Sequence, residues 1–209
     1  MKDLCVFLDP GHGGLDKNGN YVTAPSKQFE HGRGTFHKGR FFFEGVWNRT
    51  LTNRVAQKLW NLKIPYIIVA HEYLDTPLAH RVNVANWYHR NYKEGIFISN
   101  HSNASGGVAR GYEVYTSRGT TQSDKLADMQ YVNVRDLLSN RITMREDRTD
   151  GDYDKEAGFY VLVNTVMPAI LNEHLFFDNY DDAMLLMNDE IVDLFAEAQV
   201  RTIIQWFNQ

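Results

Sequence analysis

Four residues, His12, Glu44, His101 and Glu173, have side chains that can do chemistry together. His12 follows the apolar run Leu4-Cys5-Val6-Phe7-Leu8 by a tight Asp9-Pro10-Gly11 turn. His101 comes directly after Gly95-Ile96-Phe97-Ile98-Ser99, and Glu173 ends the run that starts at Ala169. Each run reads as a strand, and ligands in open α/β sheets gather at the carboxyl ends of strands. Three ionisable groups at such ends converge on one crevice. Glu44 starts the first helical stretch, just after a long polar segment, and is placed to join them. Two imidazoles and one carboxylate are a standard protein set for catalytic zinc, with a further position left for water. A carboxylate off the metal then serves as general base. No compact motif such as H-E-x-x-H is present, so residue types alone leave a second reading open. In it, His12 and His101 are loop histidines making ordinary backbone hydrogen bonds.

The elements that must position these groups alternate between strand and helix. From Glu44 a helical period runs through Trp47, Leu51, Val55, Leu59 and Leu62, and Pro65 stops it. Tyr66 to Ala70 reads as a second buried strand, and Thr76-Pro77 as a helix start leading to about Tyr88. Gly95 to Ser99 is the third strand and Tyr112 to Thr116 the fourth. Ala127, Tyr131, Val134 and Leu138 share one helical face. Phe159 to Val163 and Ala169 to Glu173 predict two more strands, and a long amphipathic helix follows from about Asp181 to Phe207. Residues 15–43 read as a long loop or insertion and residues 140–158 as a polar loop. The pattern predicts an α/β fold: a single domain over 1–209, with a twisted, mostly parallel or mixed sheet flanked by helices.

Composition narrows the partners. The chain has 209 residues, 43% hydrophobic and 23% charged, and a formal net charge of −4. That gives no basic footprint for nucleic acid and no polybasic face for a membrane surface. The apolar stretch at the N-terminus stops after Leu8, too short for a signal peptide, and no run approaches a membrane span. The expectation is synthesis in the cytoplasm without a signal peptide. The single Cys5 excludes an internal disulfide and reads as a buried inert thiol.

Ordered segments then carry a resemblance. They are Leu8-Asp9-Pro10-Gly11-His12-Gly13-Gly14, Glu44-Gly45 with Asn48, Arg81 with Asn86, and Ser99-Asn100-His101-Ser102-Asn103-Ala104. Gly111-Tyr112-Glu113-Val114-Tyr115 and Met167-Pro168-Ala169-Ile170-Leu171-Asn172-Glu173, running on to Asn179, complete the series. Together they resemble the zinc-dependent N-acetylmuramoyl-L-alanine amidase family of cell-wall autolysins and phage endolysins. The resemblance implies that His12, Glu44 and His101 bind one Zn2+ and that Glu173 is the catalytic carboxylate. It implies hydrolysis of the amide joining N-acetylmuramic acid to L-alanine, with peptidoglycan or muropeptides as partner and no obligate protein partner evident. Release to the cell wall is then expected by a holin-type or other non-classical route. Two departures stand out: Leu162-Val163 where Leu-Arg is usual, and Glu173-His174-Leu175-Phe176 where Glu-x-Gly-Phe is usual.

Rival readings are a zinc peptidase acting on the stem peptide and a non-catalytic wall-binding module. A peptidase of that kind usually carries H-x-x-E, which follows neither His12 nor His101, and a binding module would be expected to lack a ligand or Glu173. Asn103 is a candidate for substrate binding, with loop capping the alternative. Arg81 is a second candidate, on a helix where bracing is the competing role. His174 is expected to point away from the metal, because adjacent strand residues face opposite ways. His31, His37, His71, His80 and His89 are expected at the surface. Asp150-Gly151-Asp152-Tyr153-Asp154 departs from a calcium loop and reads as a solvated acidic loop. The aromatics Tyr21, Phe36 and Phe41 to Phe43 either rim a substrate groove or pin the insertion to the core.

Overall fold

The computed structural model describes residues 3–24 and 27–209. Alternation along buried strands sets its layers. In β1 (Leu4–Pro10), Val6 and Leu8 pack to one side and Cys5 and Phe7 to the other, all fully buried. A strand covered on both faces requires this pattern. The sheet runs in the order β4 (Tyr66–Ile68), β1, β5 (Glu94–Asn103), β8 (Ala169–Phe176), β6 (Glu113–Thr116), β7 (Lys155–Glu156). Neighbours are parallel except for β6 against β8, so the sheet is mixed, as predicted.

Helices α1 (Glu44–Leu62), α3 (Gln122–Leu138) and α6 (Asp189–Phe207) cover one face through Trp47, Leu51, Leu59, Tyr131 and Phe195. Helix α2 (Leu78–His89) and the short α4 (Tyr160–Asn164) cover the other through Val82, Ala85, Val161 and Leu162. That second layer is the smaller one. Cys5 lies in it fully buried, where desolvation pushes the thiol up to about 12.

Several sequence expectations are corrected. Phe159 to Val163 is no strand: Leu162 and Val163 donate their amides to the Phe159 carbonyl, and residues 160–164 are helical. A short apolar run carries no period that separates the two outcomes. The final helix is two, α5 (Tyr180–Leu186) and α6, because Asn188 interrupts the chain and accepts from the Glu190 and Ile191 amides to start α6. His101 and Glu173 lie inside their strands, since pairing continues to Asn103 and Phe176. The 15–43 stretch carries an antiparallel hairpin, β2 (Gln28–Glu30) with β3 (Phe41–Phe43), and the 140–158 stretch contains β7. His31 is buried, its Nε2 2.9 Å from the Phe177 carbonyl and its ring stacked on Phe36. Asp154 is buried as well, accepting from Thr116 Oγ1 at 2.6 Å. Among the described residues, no helix is long and apolar enough to cross a membrane.

Candidate metal centre

The site is assembled where β1, β5 and β8 reach their carboxyl ends. β1 ends in the Pro10-Gly11-His12 turn, and His12 adopts a left-handed backbone (φ 61°), sparsely populated for a non-glycine residue. Gly11 is required because a Cβ there would lie 2.1 Å from the His101 ring. Two buried or half-buried arginines hold the turn. Arg81, 1% exposed, donates to Asp9 Oδ1 at 2.6 Å, to the Pro10 carbonyl at 2.6 Å and to the His12 carbonyl at 3.1 Å. Arg49 donates to the His12 carbonyl at 2.7 Å and to the Gly45 carbonyl at 3.0 Å, tying the turn to the start of α1. Asn48 adds a bond to the Gly11 carbonyl at 3.2 Å. A strained residue persists only where its surroundings over-determine it, and these bonds do so.

The first residue of α1 is Glu44, 1% exposed. Its Oε1 lies 3.1 Å from His12 Nε2 and 3.0 Å from His101 Nδ1, and the two imidazole rings meet edge to face at 4.9 Å. One ligand atom from each of His12, Glu44 and His101 lies within 4.8 Å of the others. Glu173 is the direct cross-strand partner of His101, and Glu113 on β6 is the partner of Glu173. Partners in register share a face, so Glu173 borders the cluster and Glu113 stands one strand further out on the same face.

Electrostatics follow from burial and these contacts. Burial alone would raise the Glu44 carboxyl, but the His101 hydrogen bond and the adjacent His12 imidazole outweigh it and hold it below the usual carboxylate range. Burial lowers His12 and keeps it a neutral donor of a lone pair. On His101 burial is overcome by the Glu44 bond and charge, which raise it. Burial, with the Glu44 and Glu113 charges adding to it against the pull of His101, pushes Glu173 up to about 8.

The residues fit a metal. His12 Nε2, Glu44 Oε2 and Glu173 Oε2 are buried without a hydrogen-bond partner among the described residues. Two imidazole nitrogens and a carboxylate oxygen at this spacing match zinc, whose ligands sit about 2.0–2.2 Å from the ion.

The other candidates divide. Arg81, offered by the sequence as a substrate contact, is sealed in the fold with its donors committed to Asp9, Thr76, Pro10 and His12. Asn103 donates to Glu113 Oε1 at 2.8 Å. His174 points to the opposite face, as expected from strand alternation, and packs against Trp47, Tyr112 and Phe195. Sequence reasoning missed Arg49, Asp9 and Glu113 as parts of the site. Asp9 sits beside His12 within the D-P-G-H run and was legible there. Arg49 was not, because its role is five backbone-directed hydrogen bonds across three segments.

Fold and site together define an α/β domain that gathers imidazoles and carboxylates near the carboxyl ends of its parallel strands. The chain belongs to the N-acetylmuramoyl-L-alanine amidase family, whose sequence pattern matches residues 6–205. It is 36% identical to the endolysin of Bacillus phage SPP1 over 213 residues, covering 97% of this chain and 66% of that protein. Identity to the N-acetylmuramoyl-L-alanine amidase CwlM of Bacillus licheniformis is 28%, covering 97% of this chain and 68% of that protein. The chain therefore spans about two thirds of the length of these relatives. Among solved structures, the N-acetylmuramoyl-L-alanine amidase AmiC2 of Nostoc punctiforme superposes with a TM-score of 0.76 at 25% identity, covering 99% of this chain and 98% of that one. The Clostridium difficile 630 amidase shares the fold at a TM-score of 0.75 and 23% identity, covering 100% of this chain and 99% of that one.

Proposed function

We propose that the chain hydrolyses the amide between N-acetylmuramic acid and L-alanine of bacterial peptidoglycan, in an endolysin-type role. In this reading one zinc ion is held by His12, Glu44 and His101, and Glu173 is the acid–base carboxylate. The observation that carries it is the convergence of three ligand atoms within 4.8 Å, with Glu173 beside His101 across the strand pair. Zinc at these ligands supplies Lewis acidity toward water and the scissile carbonyl.

The protein's own groups do the rest. With a cation at the neighbouring ligands favouring its ionised form, Glu173 would take a proton from the attacking water and hand it to the leaving amine. Its neighbour Glu113 is neutralised by Arg145 at 2.6 Å and Lys155 at 2.6 Å, and Asn103 holds it in place. Arg81 and Arg49 fix the His12 backbone so that the imidazole needs no reorganisation to bind. The site of action in this reading is the cell wall.

Digestion of defined muropeptides followed by mass spectrometry tests the proposal. The expected products are peptide-free glycan and stem peptides beginning with L-alanine. Cleavage within the peptide instead makes the protein a peptidase, and binding to walls without any cleavage makes it a wall-binding module.

A further inference from the structure

The β2–β3 hairpin encloses an open groove of about 610 Å³ with Tyr21, lined by Asn20, Gln28, Lys38, Arg40, Phe41 and Phe43. The groove adjoins the metal centre through covalent and hydrogen-bonded links. Phe43 immediately precedes Glu44, and Gln28 pairs with Phe43 across the hairpin. The Tyr21 hydroxyl accepts from the Gly45 amide at 2.8 Å, and its ring stacks on Phe43 at 4.5 Å. Lys27, next to Gln28, brings its Nζ within 3.8 Å of Glu44 Oε2. Phe42 faces the other way, fully buried and stacked on Phe177, so the hairpin is pinned by one aromatic while Phe41 is left on the groove.

Charge separates this groove from the rest of the molecule. Residues 28–43 hold one carboxylate, Glu30, against three fixed cations, Arg33, Lys38 and Arg40, in a chain of formal charge −4. Arg40 shares one guanidinium nitrogen with Glu30 at 2.5 Å, and Arg33 lies over the Tyr180 ring at 4.2 Å. Lys38 makes no ion pair among the described residues. An apolar floor with a cationic rim suits a ligand that carries both apolar groups and carboxylates.

We propose that this groove is the subsite for the stem peptide, with Lys38 and Arg40 meeting its carboxylates and Tyr21 and Phe41 packing its apolar parts. The inference rests on the amidase reading above. Of the two halves of that substrate, the glycan is uncharged and gives the cations nothing to meet. The peptide carries free carboxylates and continues away from the scissile amide, and the hairpin pairing runs outward from Gln28–Phe43 beside Glu44 to Glu30–Phe41.

Two soluble muropeptides that differ only in free versus amidated peptide carboxylates test it. The wild-type protein is expected to show a higher kcat/KM on the free-carboxylate form. A Lys38→Gln, Arg40→Gln variant, checked for unchanged zinc content and circular dichroism, lowers that preference about fivefold, the upper size for exposed charge pairs. Lys38→Glu reverses it toward the amidated form. An unchanged preference in both variants overturns the subsite. If the wild-type protein cleaves neither muropeptide, the amidase reading itself falls and takes the subsite with it.

Discussion

Neighbouring residues on the same two strands build two polar regions that behave in opposite ways. His101 and Glu173 face the side covered by the small α2–α4 layer and stand at its open end, beside Glu44 and His12. Asn100 and His174, one position away, face the side covered by α1, α3 and α6. There both His174 ring nitrogens have partners, Nδ1 at 3.1 Å from the His101 carbonyl and Nε2 at 3.2 Å from Gln199 Nε2. Gln199 in turn donates to Asn100 Oδ1 at 2.7 Å, and Asn100 donates to Thr52 Oγ1 at 3.2 Å. The first region leaves lone pairs unanswered, and the second answers them. Burial of polar groups is therefore no mark of a site by itself. What marks this one is buried acceptor atoms that converge and stay unpaired.

The largest expected effect breaks the first region and spares the second. A His12→Ala, His101→Ala double variant should lose the roughly one zinc per chain of the wild type, read by metal analysis, and with it all wall lysis. Undiminished zinc would remove the proposed ligand set. Next, Glu173→Ala should keep its zinc yet lose about 10²- to 10⁴-fold in kcat, the range for a positioned acid–base group. Near-normal turnover would take Glu173 out of the mechanism.

The smallest effect isolates the second region. Burial lowers His174 from 6.5 to about 3, so the unfolded chain binds a proton below pH 6.5 that the folded chain refuses. Stability is then fully present above pH 6.5 and falls as the pH drops toward 3. Urea unfolding should lose about 2 kcal/mol between the neutral range and about pH 5 from this group alone. His174→Phe should flatten that part of the slope while retaining zinc. A slope identical in the two proteins would show that the histidine is not held neutral.

Much of this is legible in the sequence. Strand-forming apolar runs, the Glu44 helix period and the Thr76-Pro77 start place most of the sheet and its helices, although the single long C-terminal helix they predict is two, and the 15–43 and 140–158 stretches hold strands. Opposite facing of Glu173 and His174 follows from strand geometry alone. The misplaced element, residues 160–164, is too short for its apolar pattern to carry a period, and only packing of Val161 and Leu162 in the α2–α4 layer decides it. His31, expected at the surface, is buried for a related reason. A lone histidine says nothing of its neighbours, and Phe36 and the Phe177 carbonyl reach it from distant parts of the chain.

Sequence by itself determined the strand–helix alternation, the sides on which adjacent strand residues face, and the inventory of imidazoles and carboxylates at strand ends. These depend on local periodicity and residue chemistry, which are properties of short segments. Tertiary structure alone decided that Glu44 meets both histidines, that Arg81 braces the turn from within instead of facing substrate, and that the hairpin lays a cationic groove beside the site. Each of those depends on groups from separate segments coming within hydrogen-bonding or ion-pairing distance, and no local pattern encodes such a meeting.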